Sequence, residues 1–104
     1  MNQLITTCLI SKKHNVTHVE LDNEIVVLEP TSQSYFNLNP IGAKLWPLFD
    51  KPGKSMEEVI QFLMQEYHIE WLKAADDALS FIQTMINHNL LAVEPSDKTV
   101  PVIA

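Results

Sequence analysis

The sequence predicts an α+β domain in which a three-stranded antiparallel meander precedes three helices. Alternating β-rich runs fill residues 16–38, the apolar spacing changes to a helical period after Asn39, and 104 residues suit one hydrophobic core.

The first two strands are Val16-Thr17-His18-Val19-Glu20-Leu21 and Glu24-Ile25-Val26-Val27-Leu28-Glu29, joined by Asp22-Asn23. Both linking residues tolerate the positive φ of a tight type I′ turn, so this is a hairpin. With Leu21 opposite Glu24, one face carries Thr17, Val19, Leu21, Val26 and Leu28, and the other His18, Glu20, Ile25 and Val27. The first is more uniformly apolar and is the expected core face. Pro30-Thr31-Ser32-Gln33 turns the chain into a third strand, Ser34-Tyr35-Phe36-Asn37-Leu38. An even loop sets Tyr35 and Asn37 beside Val26 and Leu28; an odd one sets Phe36 and Leu38 there.

Asn39 is a good N-cap and Pro40 a good first residue for a helix carrying Ile41, Leu45, Leu48 and Phe49, while Pro47 must kink or stop it. After the Pro52-Gly53 turn, Ser55 and Glu58 form a capping box that starts a second helix striped by Met56, Val59, Ile60, Leu63 and Tyr67. The third helix runs from near Leu72 to His88. It has a heptad-like stripe of Leu72, Ala75, Leu79, Ile82 and Ile86 and a second stripe of Ala78, Phe81 and Met85, an arc wide enough for a core and part of a groove. Asn89 suits a left-handed cap. Leu90 to Val93 reads as a short returning strand, and the apolar Leu4 to Ile10 has no assignable partner. The organisation is thus an N-terminal segment 1–15, a domain 16–94 and a weakly ordered tail 95–104.

Composition narrows function. The net charge is −6, and all seven basic residues are lysines. Without arginine's planar fork, an acidic chain is poorly suited to nucleic acid. No apolar run spans a bilayer and no signal-peptide pattern opens the chain, so the expectation is a cytoplasmic protein without a membrane partner. Cys8 is the single cysteine, which leaves no Cys-based zinc site. His14 and His18 precede or lie in a strand, where four residues span roughly 13 Å, too far to share an ion. Glu57, Glu58, Asp76 and Asp77 read as helix-start charges. With no Gly-rich phosphate loop and no nucleophile–base pair, neither catalysis, metal nor cofactor is expected.

What remains is a sheet edge. Ser34 to Leu38 carries no lysine, proline or bulge, the usual defences against pairing, so it is open to an added strand unless a second copy or the termini cover it.

Leu28, Tyr35-Phe36-Asn37-Leu38-Asn39, Gly42, Trp46, Ser55 with Glu58, Leu63, Tyr67, Asp77, Phe81 and Leu90-Leu91 together resemble the PqqD-like family, the recognition elements of ribosomally made, modified peptides. The resemblance spans about Val16 to Glu94 and centres on Tyr-Phe-x-Leu-Asn-x-x-Gly-x-x-x-Trp. It implies a winged-helix-like fold and a leader peptide added as a fourth strand beside the third, leaning on the third helix. Asn89 replaces a frequent glycine without penalty, whereas Pro47 puts the first helix's length in question. The Tyr-Phe-x-Leu-Asn form with its later tryptophan is most similar to stand-alone proteins of lasso-peptide clusters, which implies a leader peptidase and an ATP-dependent macrocyclase as partners. The expected peptide site is Tyr35, Phe36, Asn37 and Leu38 on the strand with Ala78, Phe81, Ile82 and Met85 on the helix. The competing readings are a homodimer closed through the edge and a winged-helix nucleic-acid binder, the latter opposed by Asp76 and Asp77.

Overall fold

The computed structural model of the chain describes residues 8–22 and 24–95. The order is β1 (Cys8–Lys12), β2 (Thr17–Leu21), β3 (Glu24–Glu29), β4 (Ser34–Leu38), α1 (Pro40–Leu45), a 3-10 turn (Trp46–Phe49), α2 (Met56–Tyr67), α3 (Trp71–Asn87) and β5 (Leu91–Pro95).

β2, β3 and β4 form the expected antiparallel meander, with Leu21 opposite Glu24. Asp22 has φ 55°, as a tight turn requires; Asn23 lies outside the described residues. The four-residue loop after Glu29 has even parity, so Val26 faces Asn37 and Leu28 faces Tyr35.

The core face is not the one expected. Ile25 and Val27 are buried, with Leu38 buried and Phe36 half-buried beside them, whereas Val19 and Leu21 are exposed. The helices pack on β3 and β4, and β2 projects beyond them with all five residues exposed. The inward positions of β2 therefore need not be apolar. His18 occupies one of them, and the buried Trp46 donates from Nε1 to its Nδ1 at 3.4 Å.

The helix signals act locally as read. The Asn39 Oδ1 accepts from the Gly42 N–H at 2.7 Å with Pro40 at the first position, and α1 gives way to the 3-10 turn just before Pro47. Ser55 and Glu58 satisfy each other's backbone donors at the start of α2. His68, with φ 55°, closes α2, and Asn89, with φ 63°, follows α3.

Residues 8–12 do find a partner. β1 pairs antiparallel with β5 in a separate two-stranded sheet, Cys8 opposite Pro95 and Lys12 opposite Leu91. Ile10 sits in the core and exchanges backbone hydrogen bonds with Lys54. A Cβ on Gly53, which has φ 101°, would lie 2.5 Å from the Ile10 carbonyl oxygen, so that turn requires glycine on two counts. Lys12 extends over the Trp46 ring, 4.7 Å from its centroid, and pairs with Asp50.

Candidate functional site

Among the described residues β4 pairs with β3 alone, which leaves its other edge open. Strand length and direction are set at both ends: the Pro30–Gln33 turn delivers the chain to Ser34, and the Asn39 cap turns it into α1 directly after Leu38. An edge so fixed presents its backbone donors and acceptors in a constant place.

A second wall faces it. A Cβ on Gly42 would lie 2.9 Å from Phe81 Cε1 and 3.2 Å from Asn39 Oδ1, so glycine is what lets α3 approach α1. The Phe81 ring, half-buried, stacks on Phe49 with centroids 6.3 Å apart. At the other end Phe36 meets the His88 ring edge-on, centroids 4.5 Å apart, tying β4 to the end of α3. Between these contacts runs a groove of about 280 Å³, lined by Phe36, Asn37 and Leu38 of β4, Ile41 and Gly42 of α1, and Phe81, Thr84 and Met85 of α3, with Asp77 and Ser80 on its rim. A second hollow of about 190 Å³ continues past Phe36 to Tyr35, Glu29 and His88. Together they follow the length of β4, about 17 Å for five residues.

The expected site residues divide. Phe36, Asn37, Leu38, Phe81 and Met85 meet in the groove, and Tyr35 borders the second hollow, its side chain 74% exposed. Ala78 and Ile82 are buried in the core and lie beneath the groove rather than in it; Met85 and Leu38 reach the groove from largely buried positions. Ile41, Gly42, Ser80, Thr84 and His88 were not among the expected residues. On α3 the missed signal was a row at helical spacing, Asp77, Ser80, Phe81, Thr84 and His88, whose polar members disguised a face lining a groove.

The groove carries little free charge. Asp77 is paired with Lys73 at 3.1 Å. At the far end Glu29 accepts from the Ser32 side chain and backbone and from the Thr31 N–H, and these bonds, Ser32's foremost, hold its carboxyl below the ordinary 4.5. A larger hollow, about 560 Å³, lies between Leu48, Lys54 and α2. Half of its lining residues are glutamate or glutamine, and the Lys54 backbone at its border is already paired with Ile10. Among the described residues no group of three or more His, Cys, Asp or Glu could hold a metal ion, and no helix is long and apolar enough to cross a membrane.

Comparison with known proteins identifies the family and the fold. The family model described as coenzyme PQQ synthesis protein D (PqqD) matches residues 24–91, more than half the chain. A solved structure described as TbiB1 in complex with the TbiA(beta) leader peptide is 24% identical, with a TM-score of 0.71, covering 88% of this chain and 99% of that one. A lasso peptide synthetase B1 complexed with the leader peptide is 22% identical, with a TM-score of 0.69, covering 80% of this chain and 96% of that one. No curated protein matches the chain significantly.

Proposed function

The chain belongs to the PqqD family, and from that premise we propose that it is a non-catalytic recognition protein: it binds the leader segment of a ribosomally made precursor peptide and presents it to modifying enzymes, in the manner of lasso-peptide clusters. The observation that carries this is the open β4 edge facing the Phe81 wall of α3 across a groove of about 280 Å³. Backbone pairing supplies affinity for any extended segment, and the apolar floor of Leu38, Phe81 and Met85 selects a few anchor side chains. The peptide lies antiparallel to β4. The two solved neighbours, both bound to leader peptides, support the reading.

The working partners are a leader peptidase and an ATP-dependent macrocyclase, in the cytoplasm. The sheet's outer face adjoins the peptide edge, and its exposed Val19, Leu21 and Tyr35, with half-buried Val26 and Leu28 between them, offer the receiving enzyme apolar surface. A nucleic-acid reading gains nothing, since Lys73, the one cation of α3, is occupied by Asp77.

Amide shifts on titrating the leader peptide test the site. Changes should concentrate in β4, Gly42 and the Asp77–His88 part of α3; changes confined to β2 would place the peptide at the opposite edge. The peptide should also stay intact by mass spectrometry when incubated with this protein alone, and cleavage would refute the non-catalytic role.

A further inference from the structure

Glu29 is a buried anion without a counter-charge. It is 8% exposed and shares its sheet face with Ile25 and Val27. Among the described residues no lysine or histidine pairs with it, whereas Asp50, Glu66 and Asp77 each hold a lysine. Its donors are neutral: the Thr31 and Ser32 N–H groups and the Ser32 hydroxyl, which keep the carboxyl ionised. A buried charge balanced by dipoles alone leaves a negative field in the space beside it. That space is the hollow of about 190 Å³ at the start of β4. The hydroxyls there have a fixed direction. Ser32 has one hydrogen and gives it to Glu29, so in the 2.6 Å contact between Ser32 and Ser34 the donor is Ser34. Ser34 Oγ is thereby left as an acceptor. It stands opposite Glu29 in the ladder and on the same face as Phe36 and Leu38, at the end of the row that an added strand would cover. The hollow thus joins an acceptor and an anion at one end to an apolar floor of Val27, Phe36 and Leu90.

We propose that this hollow selects a lysine or arginine of the bound peptide, four residues after the apolar residue that occupies the Phe81 groove. The inference rests on the leader-peptide reading above and adds a chemical class to it. In a strand added antiparallel to β4, the side chains opposite Leu38, Phe36 and Ser34 point inward, and they follow in that order along the peptide. The first meets Phe81 and Met85, and the third enters the hollow. A long basic side chain lays its aliphatic stem on Phe36 and Leu90 and ends its charge at Ser34 Oγ, with Glu29 behind it. An acidic side chain at that position meets like charge and finds acceptors where it needs donors, so the hollow also rejects.

Phage display of random peptides of about nine residues, long enough to cover β4, tests this when panned on the full chain at about pH 8, where imidazole is uncharged. Selected sequences should carry lysine or arginine four positions after an aliphatic or aromatic residue. In calorimetry, methionine in place of that basic residue in a selected peptide should weaken binding about three- to tenfold. Ser34→Ala and Glu29→Gln should each bring the two peptides to within about twofold of one another. Because the comparison is between peptides, any loosening of the turn after Glu29 in the Gln variant affects both alike. Peptides that stay as far apart on either variant as on the wild type overturn the role assigned to Ser34 and Glu29. Selected sequences that share the apolar residue but show no preference four positions on overturn the basic specificity and leave the leader-peptide reading standing. Failure to select any peptide that shifts the β4 amides overturns both.

Discussion

The two edges of the three-stranded sheet have the same backbone chemistry and different surroundings. β2 ends the sheet on one side, exposed along its length, with Val19 and Leu21 in solvent. β4 ends it on the other, with Leu38 anchored in the core and α3 standing beside it. An unpaired edge alone gives an incoming segment only hydrogen bonds that water already satisfies. An edge with a wall adds burial of side chains, which is where affinity and selectivity come from. The difference teaches that absence of defence does not make a strand a site; the second wall does.

The largest change expected on breaking this arrangement is structural. Trp46→Ala removes a fully buried ring that joins β2, through His18, to the helical layer, and should cost about 3–5 kcal/mol, read by thermal or denaturant unfolding. Met85→Ala should also act on stability, by about 2–5 kcal/mol, since that side chain is 2% exposed and its loss opens a cavity. A Met85→Ala variant with wild-type melting and weak peptide binding would show that the side chain serves the groove alone.

Next in size is the wall. Phe81→Ala should weaken leader-peptide binding by about 1–3 kcal/mol in calorimetry, while Val19→Ser on the opposite edge should change it by less than about 0.5 kcal/mol. Equal effects from the two variants would erase the distinction between the edges. Gly42→Ala tests the wall from behind: its methyl group meets Phe81 at 2.9 Å, so it should cost about 1–3 kcal/mol of stability and displace the ring, lowering affinity with no peptide contact removed.

The parts legible in the sequence were those decided within a few residues. Asn39 with Pro40, Ser55 with Glu58, Pro47 and Asn89 each act on the backbone beside them, and each does in the structure what its chemistry predicts. The face of the sheet was not legible, because Val19, Leu21, Val26 and Leu28 make the more apolar set while the choice depends on where the helices land. That β4 ends the three-stranded sheet was legible from the order of the strands, and its use by a peptide is the proposal made above. Its wall was legible only in part: Phe81 stood out, but Ala78 and Ile82 were equally apolar, and which members of a wide arc face solvent depends on the packing of α1 and α2. Gly42 carried a resemblance without a reason until the distance to Phe81 supplied one.

The smallest effect concerns pH at the far end of the groove. The folded-state pKa of Glu29 is lowered, mainly by Ser32, so its contribution to stability is fully present above the ordinary 4.5 and is lost as pH falls through the lower folded value. Ser32→Ala should therefore lower the melting temperature slightly at neutral pH, and its difference from wild type should shrink as pH drops below 4.5. A difference that stayed constant down to pH 3 would mean that the hydroxyl acts on the Pro30–Gln33 turn rather than on the carboxylate.

The pairing of β1 with β5 has a kinetic consequence. Ile10 stands opposite Val93, so this ladder closes nearly the whole chain into a ring, whereas every contact of the meander and of α2 with α3 spans far fewer residues. Closing a loop of that length costs about 4 kcal/mol in chain entropy before any contact repays it. The meander and helices therefore assemble first and the β1–β5 clasp closes last, on a body already formed. In the native protein the clasp is correspondingly the first unit to open, and amide exchange in Cys8–Lys12 and Leu91–Pro95 should outpace that in β3.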